Sequence, residues 1–316
     1  MTTYSLIVPV YKNAANIPAL IDAIADISLQ LESSEFEAIF VVDGSPDDSG
    51  FLIVNADKSF TAKIIFHSRN FGAFAAIRTG MEEAAGKYVA AMAADLQEPP
   101  QLILEFFRIL AEDKADITFG VRTGRSDPPM KTLLSNMFWS FYRRFVIQAM
   151  PQGGVDIFGC NRKVIESILM IEEPNSSLVA QLFWVGFRRR FVPYQRRARE
   201  HGESAWSLSK RFRYMMDSIF SFSDLPIMAV LWLGIAGTLL SVAVGLVTIT
   251  SWLLGYIDAP GYTTIVVLVT FVTSALLVVQ GILGCYLWRA LENTKRRPLR
   301  IISHIEGQNV DETFRS

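Results

Sequence analysis

A short stretch of the chain, VAAMAADLQEPP at Val89–Pro100, places oxygen-bearing side chains directly after an apolar run. The run is typical of a buried strand, and Asp95, Gln97 and Glu98 follow it in a turn closed by two prolines. Ligands of open α/β sheets bind at the carboxyl ends of the strands. A hard divalent cation such as Mg²⁺ prefers carboxylate and carbonyl oxygens together with substrate phosphates. The pattern therefore predicts that Asp95 and Gln97 bind a divalent metal.

Alternating strand and helix patterns surround this turn and must position it. Strands are predicted at YSLIVPVY, FEAIFVVD, AKIIFHS and ADITFGV, and helices at IPALIDAIADISLQLE and GAFAAIRTGMEEAAG. Strands separated by helices imply an α/β fold with a mostly parallel sheet. The strand ends should converge on one crevice, because each stops at polar or turn residues: Pro9-Val10-Tyr11, Asp43-Gly44-Ser45, Arg69-Asn70 and Asp95.

Asp43 stands in the turn-rich stretch VVDGSPDDSG, where its carboxylate is placed to accept hydrogen bonds from a ribose or a base. A plain type I turn is the structural alternative when this stretch is read alone. The binding interpretation is favoured because Asp95 is expected at the same edge of the sheet.

The C-terminal part of the chain is strongly apolar. Hydrophobic residues make up 51% of the sequence, the mean hydropathy is +0.29, and Pro226–Trp288 contains a single Asp, Glu, Lys or Arg side chain, that of Asp258. Ile227–Leu254 and Thr263–Trp288 each exceed the ~20 residues that span a bilayer, which predicts a two-helix transmembrane hairpin. A buried pair of core helices is the alternative. Small residues in GIAGTLLSVAVG and GILG permit close helix contacts, either within the hairpin or between the chains of a homo-oligomer.

The distribution of basic residues predicts the topology of this hairpin. The connector Gly255–Tyr262 contains no Lys or Arg, whereas RALENTKRRPLR after the second helix contains five. Positive charge accumulates on the cytoplasmic side, so both ends of the hairpin are expected there. The start MTTYSLIVPVYKN does not resemble a signal peptide, and Cys160 and Cys285 fit a reducing compartment. We therefore expect a multi-pass protein of the inner (cytoplasmic) membrane with both termini in the cytoplasm.

The predicted organisation has three parts. Residues 1–224 form a cytoplasmic α/β domain, residues 225–290 the two transmembrane helices, and residues 291–316 a cytoplasmic basic tail. Aromatic residues are mixed with Arg and Lys at about 130–150 and 207–223, which predicts interfacial helices on the bilayer surface, with ordinary core helices as the alternative. A net charge of −1 gives no global basic field and argues against nucleic acid as a partner.

Seven segments occur in a fixed order along the chain: SLIVPVYKN, VVDGSPDDS, SRNFGAFAAIRTG, AADLQEPP, RTGRSD, DIFGCNRKV and RAREHGESAWSLSK. With the hairpin after them, they resemble the polyisoprenyl-phosphate glycosyltransferases of glycosyltransferase family 2, which include bactoprenol glucosyltransferases and dolichol-phosphate mannose synthase. The resemblance covers nearly the whole chain. It implies a Rossmann-like GT-A fold, Mg²⁺ or Mn²⁺, and inverting transfer of a sugar from a UDP-linked donor to polyprenyl (undecaprenyl) phosphate.

The resemblance also implies where the product would go. Glucose is the default sugar, and a lipid-phosphate sugar made at the cytoplasmic face would serve later glycosylation of the cell envelope, such as lipopolysaccharide O-antigen. The implied partners are therefore the nucleotide sugar, the polyprenyl phosphate, the bilayer, a flippase and a downstream membrane glycosyltransferase.

By the same resemblance, individual residues take roles at the donor and in catalysis. Asp156 would orient or deprotonate the nucleophile, together with Asp95 as the second catalytic residue. A helix N-cap is the structural alternative for Asp156. The nucleotide sugar would be held at Pro9, Tyr11, Asp43, Ala93 and Asp95.

Basic residues are expected to bind the acceptor phosphate, because guanidinium groups offer paired donors to phosphate oxygens. Each of them taken alone is typical of a solvated surface charge. The candidates are the basic residues Arg122, Arg125 and Arg199, together with Ser204, which lies in the same segment as Arg199.

Three positions depart from the family's pattern. Ala93 stands in place of an Asp, Val42 in place of an acidic residue or Asn, and Ala205 in place of a Lys. An active enzyme with an adapted donor site is favoured, because Mg²⁺ completes its shell with waters and substrate phosphates. The alternatives are a catalytically impaired homologue, a membrane scaffold and a polysaccharide synthase-type transferase. The last would show a Gln-x-x-Arg-Trp motif and more spans.

Overall fold

The computed structural model describes two compact units. Residues 1–214 and 297–316 belong to the first unit, and residues 215–296 to the second. The boundary lies within the stretch at 207–223 that was predicted to be an interfacial helix. The described residues are 2–31, 35–123, 140, 143–144, 147–151, 154–155, 157–173, 176–196, 223, 254, 261–295 and 298–307, with further isolated positions between 216 and 250.

The first unit contains one mixed sheet of eight strands, counted over the described residues. The spatial order is β7-β5-β6-β4-β1-β2-β3-β8. Strands β1 to β4 run parallel to one another, β6 is antiparallel to both β4 and β5, and β8 is antiparallel to β3. The strands are β1 Tyr4–Val10, β2 Phe36–Val42, β3 Thr61–His67, β4 Tyr88–Ala91, β5 Ile117–Arg122, β6 Ile157–Asn161, β7 Arg189–Tyr194 and β8 Ile302–Gly307.

Helices alternate with these strands, so the α/β prediction is confirmed. The two predicted helices are present at Ile17–Gln30 and Ala73–Glu83, and the other helices of this unit were not predicted. A short 3₁₀ turn at Ala14–Asn16 precedes the first helix. The helices of the first unit are α1 Ile17–Gln30, α2 Ser49–Asn55, α3 Ala73–Glu83, α4 Pro100–Ala111, α5 Arg162–Leu169 and α6 Leu178–Trp184.

Each face of the sheet carries its own apolar core, because successive side chains of a strand point to opposite faces. On one face, Leu6 and Val8 of β1 pack in a cluster with residues of α1 and α4, including the buried Phe106. On the other face, Ile7 of β1 packs in a cluster with α3, α5 and α6. Gly80 of α3 permits this close packing, since a Cβ there would lie 2.3 Å from Ile7. The central strands are covered on both faces, which accounts for their continuous apolar sequences.

The described part of the second unit is dominated by a long helix, α7. It runs from Tyr262 to Thr294, which is 33 residues, and contains the predicted second span Thr263–Trp288. Most of the predicted first span, Ile227–Leu254, lies outside the described residues. Over the part of the chain that the structure describes, no helix combines the length and the apolar composition needed to cross a membrane. The hairpin stays a prediction, and so do the interfacial helices, which lie largely outside the described residues.

The segment after α7 is not simply a basic tail, which corrects the prediction for residues 291–316. Residues 302–307 form strand β8, which extends the sheet beside β3. The ring of His304 stacks on Phe66 with centroids 4.2 Å apart, and Arg300 forms an ion pair with Glu82 of α3. The backbone N–H of Ser68 donates to the carbonyl of Ile301 at 3.0 Å. The C-terminal segment is therefore part of the first unit.

We expect that ending the chain at Arg297 destabilises the first unit. The truncation removes β8 and leaves the hydrogen-bonding edge of β3 open to water. The midpoint of thermal unfolding should fall by about 5 °C, which corresponds to about 2 kcal/mol for a unit of this size. Ending the chain at Gly307 is the matched control, because it keeps β8, and its midpoint should stay near that of the intact chain. Equal midpoints for the two truncations would contradict a structural role for β8.

Candidate active site

Polar loops gather at one edge of the sheet, where parallel neighbours β1, β2 and β4 end. The N–H of Asp43, just after β2, donates to the carbonyl of Val10 at 3.0 Å, and the N–H of Met92, just after β4, donates to Ile7 at 2.9 Å. Strand β5 also ends at this edge, and the antiparallel β6 begins there at Ile157. The predicted convergence of strand ends is therefore present in the structure.

The loop after β2 is fastened to the loop after β1 by the carboxylate of Asp47. Its Oδ1 accepts hydrogen bonds from the hydroxyls of Ser45 (2.5 Å) and Ser49 (2.7 Å), and its Oδ2 accepts from the N–H of Ala14 at 3.0 Å. Ser45 Oγ accepts in turn from the N–H of Lys12 at 2.8 Å. Burial alone would raise the pKa of Asp47, but these hydrogen bonds outweigh it and lower the pKa below its usual range. These hydrogen bonds hold the loops after β1 and β2 together, and the two loops form one side of the candidate site.

Asp43 is buried and fastens a third loop, Ser68–Gly72, to the same side of the site. Its Oδ1 accepts from the N–H of Phe71 at 2.8 Å and from Nδ1 of His67 at 2.8 Å, and its Oδ2 accepts from the N–H of Gly72 at 2.7 Å. With these partners, and with 2% of the residue exposed, Asp43 has an internal role that sequence reasoning did not foresee. Its predicted contact with a ribose or base stays a prediction.

Glycine is needed next to Asp43 because the Ser68–Gly72 loop lies against the backbone there. Gly44 has φ +58°, and a Cβ on it would come within 2.4 Å of the carbonyl carbon of Arg69. A larger residue would push this loop away. The loop presents the exposed Arg69, whose guanidinium lies 4.1 Å from the ring centroid of Phe71. The guanidinium of Arg69 therefore lies beside the loop that follows β2.

The predicted metal turn follows β4 at the centre of the edge. Leu96 adopts φ +53°, and the N–H of Gln97 donates to Oδ1 of Asp95 at 3.4 Å, so that Asp95 and Gln97 flank a tight turn. Both side chains are half-buried. Over the described residues, no group of three or more His, Cys, Asp or Glu side chains could hold a metal by itself. One carboxylate and one amide oxygen nevertheless fit a cation that also binds substrate phosphates and water.

Arg196 meets this turn from the chain segment after β7, and sequence reasoning missed it. Its Nη2 donates to Oε1 of Gln97 at 2.5 Å, and its Nε lies 3.9 Å from Oε1 of Glu98. A guanidinium and a metal cation repel each other, so ligation of a metal by Gln97 requires Arg196 to turn away. The one available signal was its place in YQRRAR, directly before the predicted acceptor segment.

The other predicted residues divide into those at the edge and those outside the described residues. Pro9 is the penultimate residue of β1 and Tyr11 directly follows the strand, both half-buried. Ala93 lies half-buried between β4 and Asp95. Arg122 is the last residue of β5 and pairs in register with Tyr194 of β7. The structure thus brings Arg122 and Arg196 to one side of the edge. Arg125, Asp156, Arg199 and Ser204 lie outside the described residues, as do Ala205 and the tail beyond Gly307.

The α/β unit agrees with the Rossmann-like fold that the resemblance implied, although its sheet is mixed and not mostly parallel as predicted. The family model described as glycosyl transferase family 2 matches residues 5–169, more than half of the 316 residues. The chain belongs to glycosyltransferase family 2, has the GT-A fold and is a glycosyltransferase.

Several relatives match over almost their whole length. The Bacillus subtilis (strain 168) protein CsbB is 32% identical over 308 residues, which is 97% of this chain and 93% of that protein. The Synechocystis protein named uncharacterized glycosyltransferase sll0501 is 32% identical over 305 residues, covering 96% and 95%. Undecaprenyl-phosphate 4-deoxy-4-formamido-L-arabinose transferase of Yersinia pestis (strain Pestoides F) is 27% identical over 317 residues, covering 98% and 95%.

Among solved structures, the Mycobacterium tuberculosis glucosyl-3-phosphoglycerate synthase in complex with Mn²⁺, UDP and glucosyl-3-phosphoglycerate aligns with a TM-score of 0.46 and 16% identity. That alignment covers 69% of this chain and 77% of the synthase.

We expect Asp47→Asn to loosen the connection between the first two loops. The amide has one acceptor oxygen, and its NH₂ group would face the N–H of Ala14, so charge-assisted hydrogen bonds are lost. At pH 7 the free energy of unfolding should fall by about 1–2 kcal/mol, measured by chemical denaturation. Asp48→Asn is the matched control, since Asp48 is exposed, and its effect should stay within about 0.5 kcal/mol.

The stability difference between Asp47→Asn and the unmodified chain should depend on pH. Because the folded-state pKa of Asp47 is lowered, its contribution is fully present above the unfolded pKa of about 4 and is lost as the pH falls through the folded pKa. The two unfolding free energies should therefore converge at low pH. A difference that is constant between pH 7 and pH 3 would contradict the assignment of the hydrogen bonds to the ionised carboxylate.

Proposed function

We propose that this enzyme transfers a sugar, with glucose as the default, from a UDP-linked donor to polyprenyl (undecaprenyl) phosphate with inversion at the anomeric carbon. The observation that carries the proposal is the arrangement along the sheet edge. Fixed polar loops lie at β1, β2 and β3, the acidic turn of Asp95 and Gln97 lies in the centre, and the arginines Arg122 and Arg196 lie on the opposite side. Such a row suits a nucleotide, its diphosphate and an anionic acceptor in that order.

The relatives support polyprenyl phosphate as the acceptor. The Yersinia pestis relative is named for transfer to undecaprenyl phosphate, and its alignment covers 98% of this chain. The shared length therefore includes the segment predicted to form the hairpin, as well as the catalytic unit. A lipid acceptor also explains why a chain with this catalytic unit carries the apolar segment Pro226–Trp288.

The reaction asks more for positioning than for a strong base. The acceptor phosphate oxygen is already an anion, so it can attack the anomeric carbon as the bond from that carbon to the diphosphate breaks. We assign Arg122 to orientation of the acceptor phosphate, and Arg125, Arg199 and Ser204 to the same task. Asp156, which precedes Ile157 in the sequence, would orient the nucleophile. The loops held by Asp47 and Asp43 would fix the donor so that attack occurs from the face opposite the leaving group.

Asp95 and Gln97 are the residues that would hold Mg²⁺ or Mn²⁺. When bound, the metal supplies positive charge that stabilises the departing nucleoside diphosphate. Arg196 is the side chain that must leave Gln97 for this state, and its guanidinium then becomes available to the same phosphates. Because position 93 is an alanine, Asp95 is the first carboxylate of this turn, and the donor site depends on that single aspartate.

We place the reaction at the cytoplasmic face of the inner membrane. The proposal rests on the two apolar segments and on the basic residues that follow the second of them. A product formed there needs a flippase and a downstream membrane glycosyltransferase, because the sugar must cross the bilayer before it is used. The aromatic and basic stretches at about 130–150 and 207–223 are proposed to lie on the same surface.

The proposal is tested by incubating the full chain with radiolabelled UDP-sugars, undecaprenyl phosphate and Mg²⁺ or Mn²⁺. A lipid-extractable, acid-labile sugar phosphate is expected. Asp95→Ala should abolish its formation, because removal of the carboxylate leaves the metal and diphosphate without their protein anchor, and excess chelator should do the same to the unmodified enzyme. Asp48→Asn, a change at an exposed aspartate, is the control and should retain activity.

Full activity in excess chelator would contradict the metal assignment. A soluble free sugar in place of the lipid product would contradict the acceptor assignment. No turnover with any UDP-, GDP- or other nucleotide-linked sugar would favour the catalytically impaired homologue or the membrane scaffold.

The topology is tested independently of catalysis. A reporter that distinguishes the two sides of the membrane, inserted at Gly261 in the connector, should report the non-cytoplasmic side, because lysine and arginine flank the other ends of the apolar segments. The same reporter after Gly307, beyond β8, should report the cytoplasmic side. A cytoplasmic signal at Gly261 would contradict the hairpin.

A further inference from the structure

A line of buried polar side chains lies beneath the Ser68–Gly72 loop. His67, the last residue of β3, stands between Asp43 and Thr79 of α3, with Nδ1 2.8 Å from Oδ1 of Asp43 and Nε2 2.8 Å from Oγ1 of Thr79. The three residues are 2%, 5% and 0% exposed in the order Asp43, His67, Thr79. A carboxylate can only accept, so Nδ1–H of His67 donates to Asp43.

His67 therefore helps to fix the side-chain conformation of Asp43 by donating a hydrogen bond to it. Asp43 also accepts hydrogen bonds from the backbone N–H groups of Phe71 and Gly72, at 2.8 and 2.7 Å. If Asp43 turned, both amides would lose their acceptor, and the loop would lose the contact that sets its path. Thr79 prevents rotation of the imidazole ring from the far side, and its hydroxyl lies 3.0 Å from the carbonyl of Ala75.

The loop that this line supports faces the proposed donor site. It carries the exposed Arg69, stacked on Phe71, beside the turn at Gly44 that follows β2. Its first residue, Ser68, donates a backbone hydrogen bond to Ile301, the residue directly before β8. A guanidinium fixed at this place suits the negative charge of a nucleoside diphosphate.

We propose that His67 is a positioning residue for the donor nucleotide: through Asp43 it sets the conformation of the Ser68–Gly72 loop, and the loop determines the affinity for the nucleoside diphosphate. This inference rests on the proposed function for the identity of the donor. It assigns His67 and Thr79 no contact with the substrate.

A similar buried cluster at the opposite end of the same strands provides a matched control. The hydroxyl of Ser5 in β1 donates to the buried Glu37 of β2 at 2.6 Å and accepts from the N–H of Gly86 at 2.8 Å, while the N–H of Ala85 donates to Glu37 at 2.7 Å. Ser5→Ala therefore weakens a buried carboxylate cluster in the same sheet without touching the loops at the active edge.

The experiment compares His67→Phe, His67→Asn, Thr79→Val and Ser5→Ala in the full chain. Phe keeps a planar ring but removes both nitrogens, whereas Asn offers an amide N–H in place of Nδ1–H. Thr79→Val keeps the side-chain shape and removes the hydroxyl that contacts Nε2 of His67 and the carbonyl of Ala75. Each variant is characterised by its thermal midpoint, by its dissociation constant for UDP in the presence of Mn²⁺, and by hydrogen exchange of backbone amides.

His67→Phe should weaken UDP binding by about tenfold, the size expected when a hydrogen bond to a charged group is lost. Exchange of the Phe71 and Gly72 amides should rise by about the same factor, while the Ala85 and Gly86 amides stay protected. His67→Asn should restore UDP binding to within about threefold of the unmodified chain, and Thr79→Val should fall between the two. Ser5→Ala should lower the thermal midpoint and speed exchange at Ala85 and Gly86, with unchanged UDP binding.

Steady-state kinetics provide a second comparison with the unmodified enzyme. In His67→Phe and Thr79→Val, KM for the nucleotide sugar should rise while KM for the polyprenyl phosphate does not change, and in His67→Asn both should stay near the unmodified values. A variant in which KM for both substrates rises equally would indicate general destabilisation of the fold and would overturn the positioning role of His67.

Unchanged exchange at Phe71 and Gly72 in His67→Phe would also overturn the inference, and so would a loss of UDP affinity in Ser5→Ala equal to that in His67→Phe. If His67→Phe does not fold, Thr79→Val carries the test, and unchanged exchange and UDP affinity in it would overturn the role. Failure of the unmodified chain to bind UDP would contradict the proposed function instead, because the exchange measurement needs no nucleotide.

Discussion

The carboxylate of Asp43 joins three segments of the catalytic unit, and the donor side of the site depends on it. It lies at the end of β2, is supported by His67 at the end of β3, and accepts the N–H groups that shape the loop leading to α3. A buried carboxylate is costly unless its oxygens are hydrogen-bonded, and backbone amides can satisfy them only in one arrangement of the loop. In the same way, Asp47 accepts hydrogen bonds from Ala14 and Ser49 and so connects the loops that follow β1 and β2. These two carboxylates thus connect the loops that follow β1, β2 and β3.

Charge is divided along the edge of the sheet in a way that suits phosphate chemistry. The acidic turn of Asp95, Gln97 and Glu98 follows β4, and basic side chains enter from β5 and from the segment after β7. Arg196 bridges the two regions by contacting Gln97 and Glu98. This contact brings the guanidinium near the buried Glu98. A metal and a diphosphate at the turn would change its balance, because the metal competes for Gln97 while the phosphates attract the guanidinium.

Continuity between the C-terminal segment and the sheet links the donor loop to residues far along the chain. Strand β8 follows α7 by a few residues and pairs with β3, the strand that ends in His67. Ile301 accepts from Ser68 at the start of the donor loop, and Arg300 pairs with Glu82 in the helix that carries Thr79. The segment after the apolar region therefore contributes to the same loop as Asp43 and His67, rather than serving as a separate charged extension.

The sequence by itself determined the first five strands of the catalytic unit, the helices α1 and α3, and the types of residue at its active edge. Continuous apolar runs ended by Asp43 and Asp95 are local signals, and the strand directions then force those ends together. Only the tertiary structure decided which atoms those residues meet. Arg196 lies 99 residues from Gln97, Asp43 gives its oxygens to the loop at Phe71 and Gly72, and β8 is a short, partly polar strand that is stable only against the edge of β3. These are contacts between distant segments, whose geometry depends on packing and leaves no periodic pattern in the sequence.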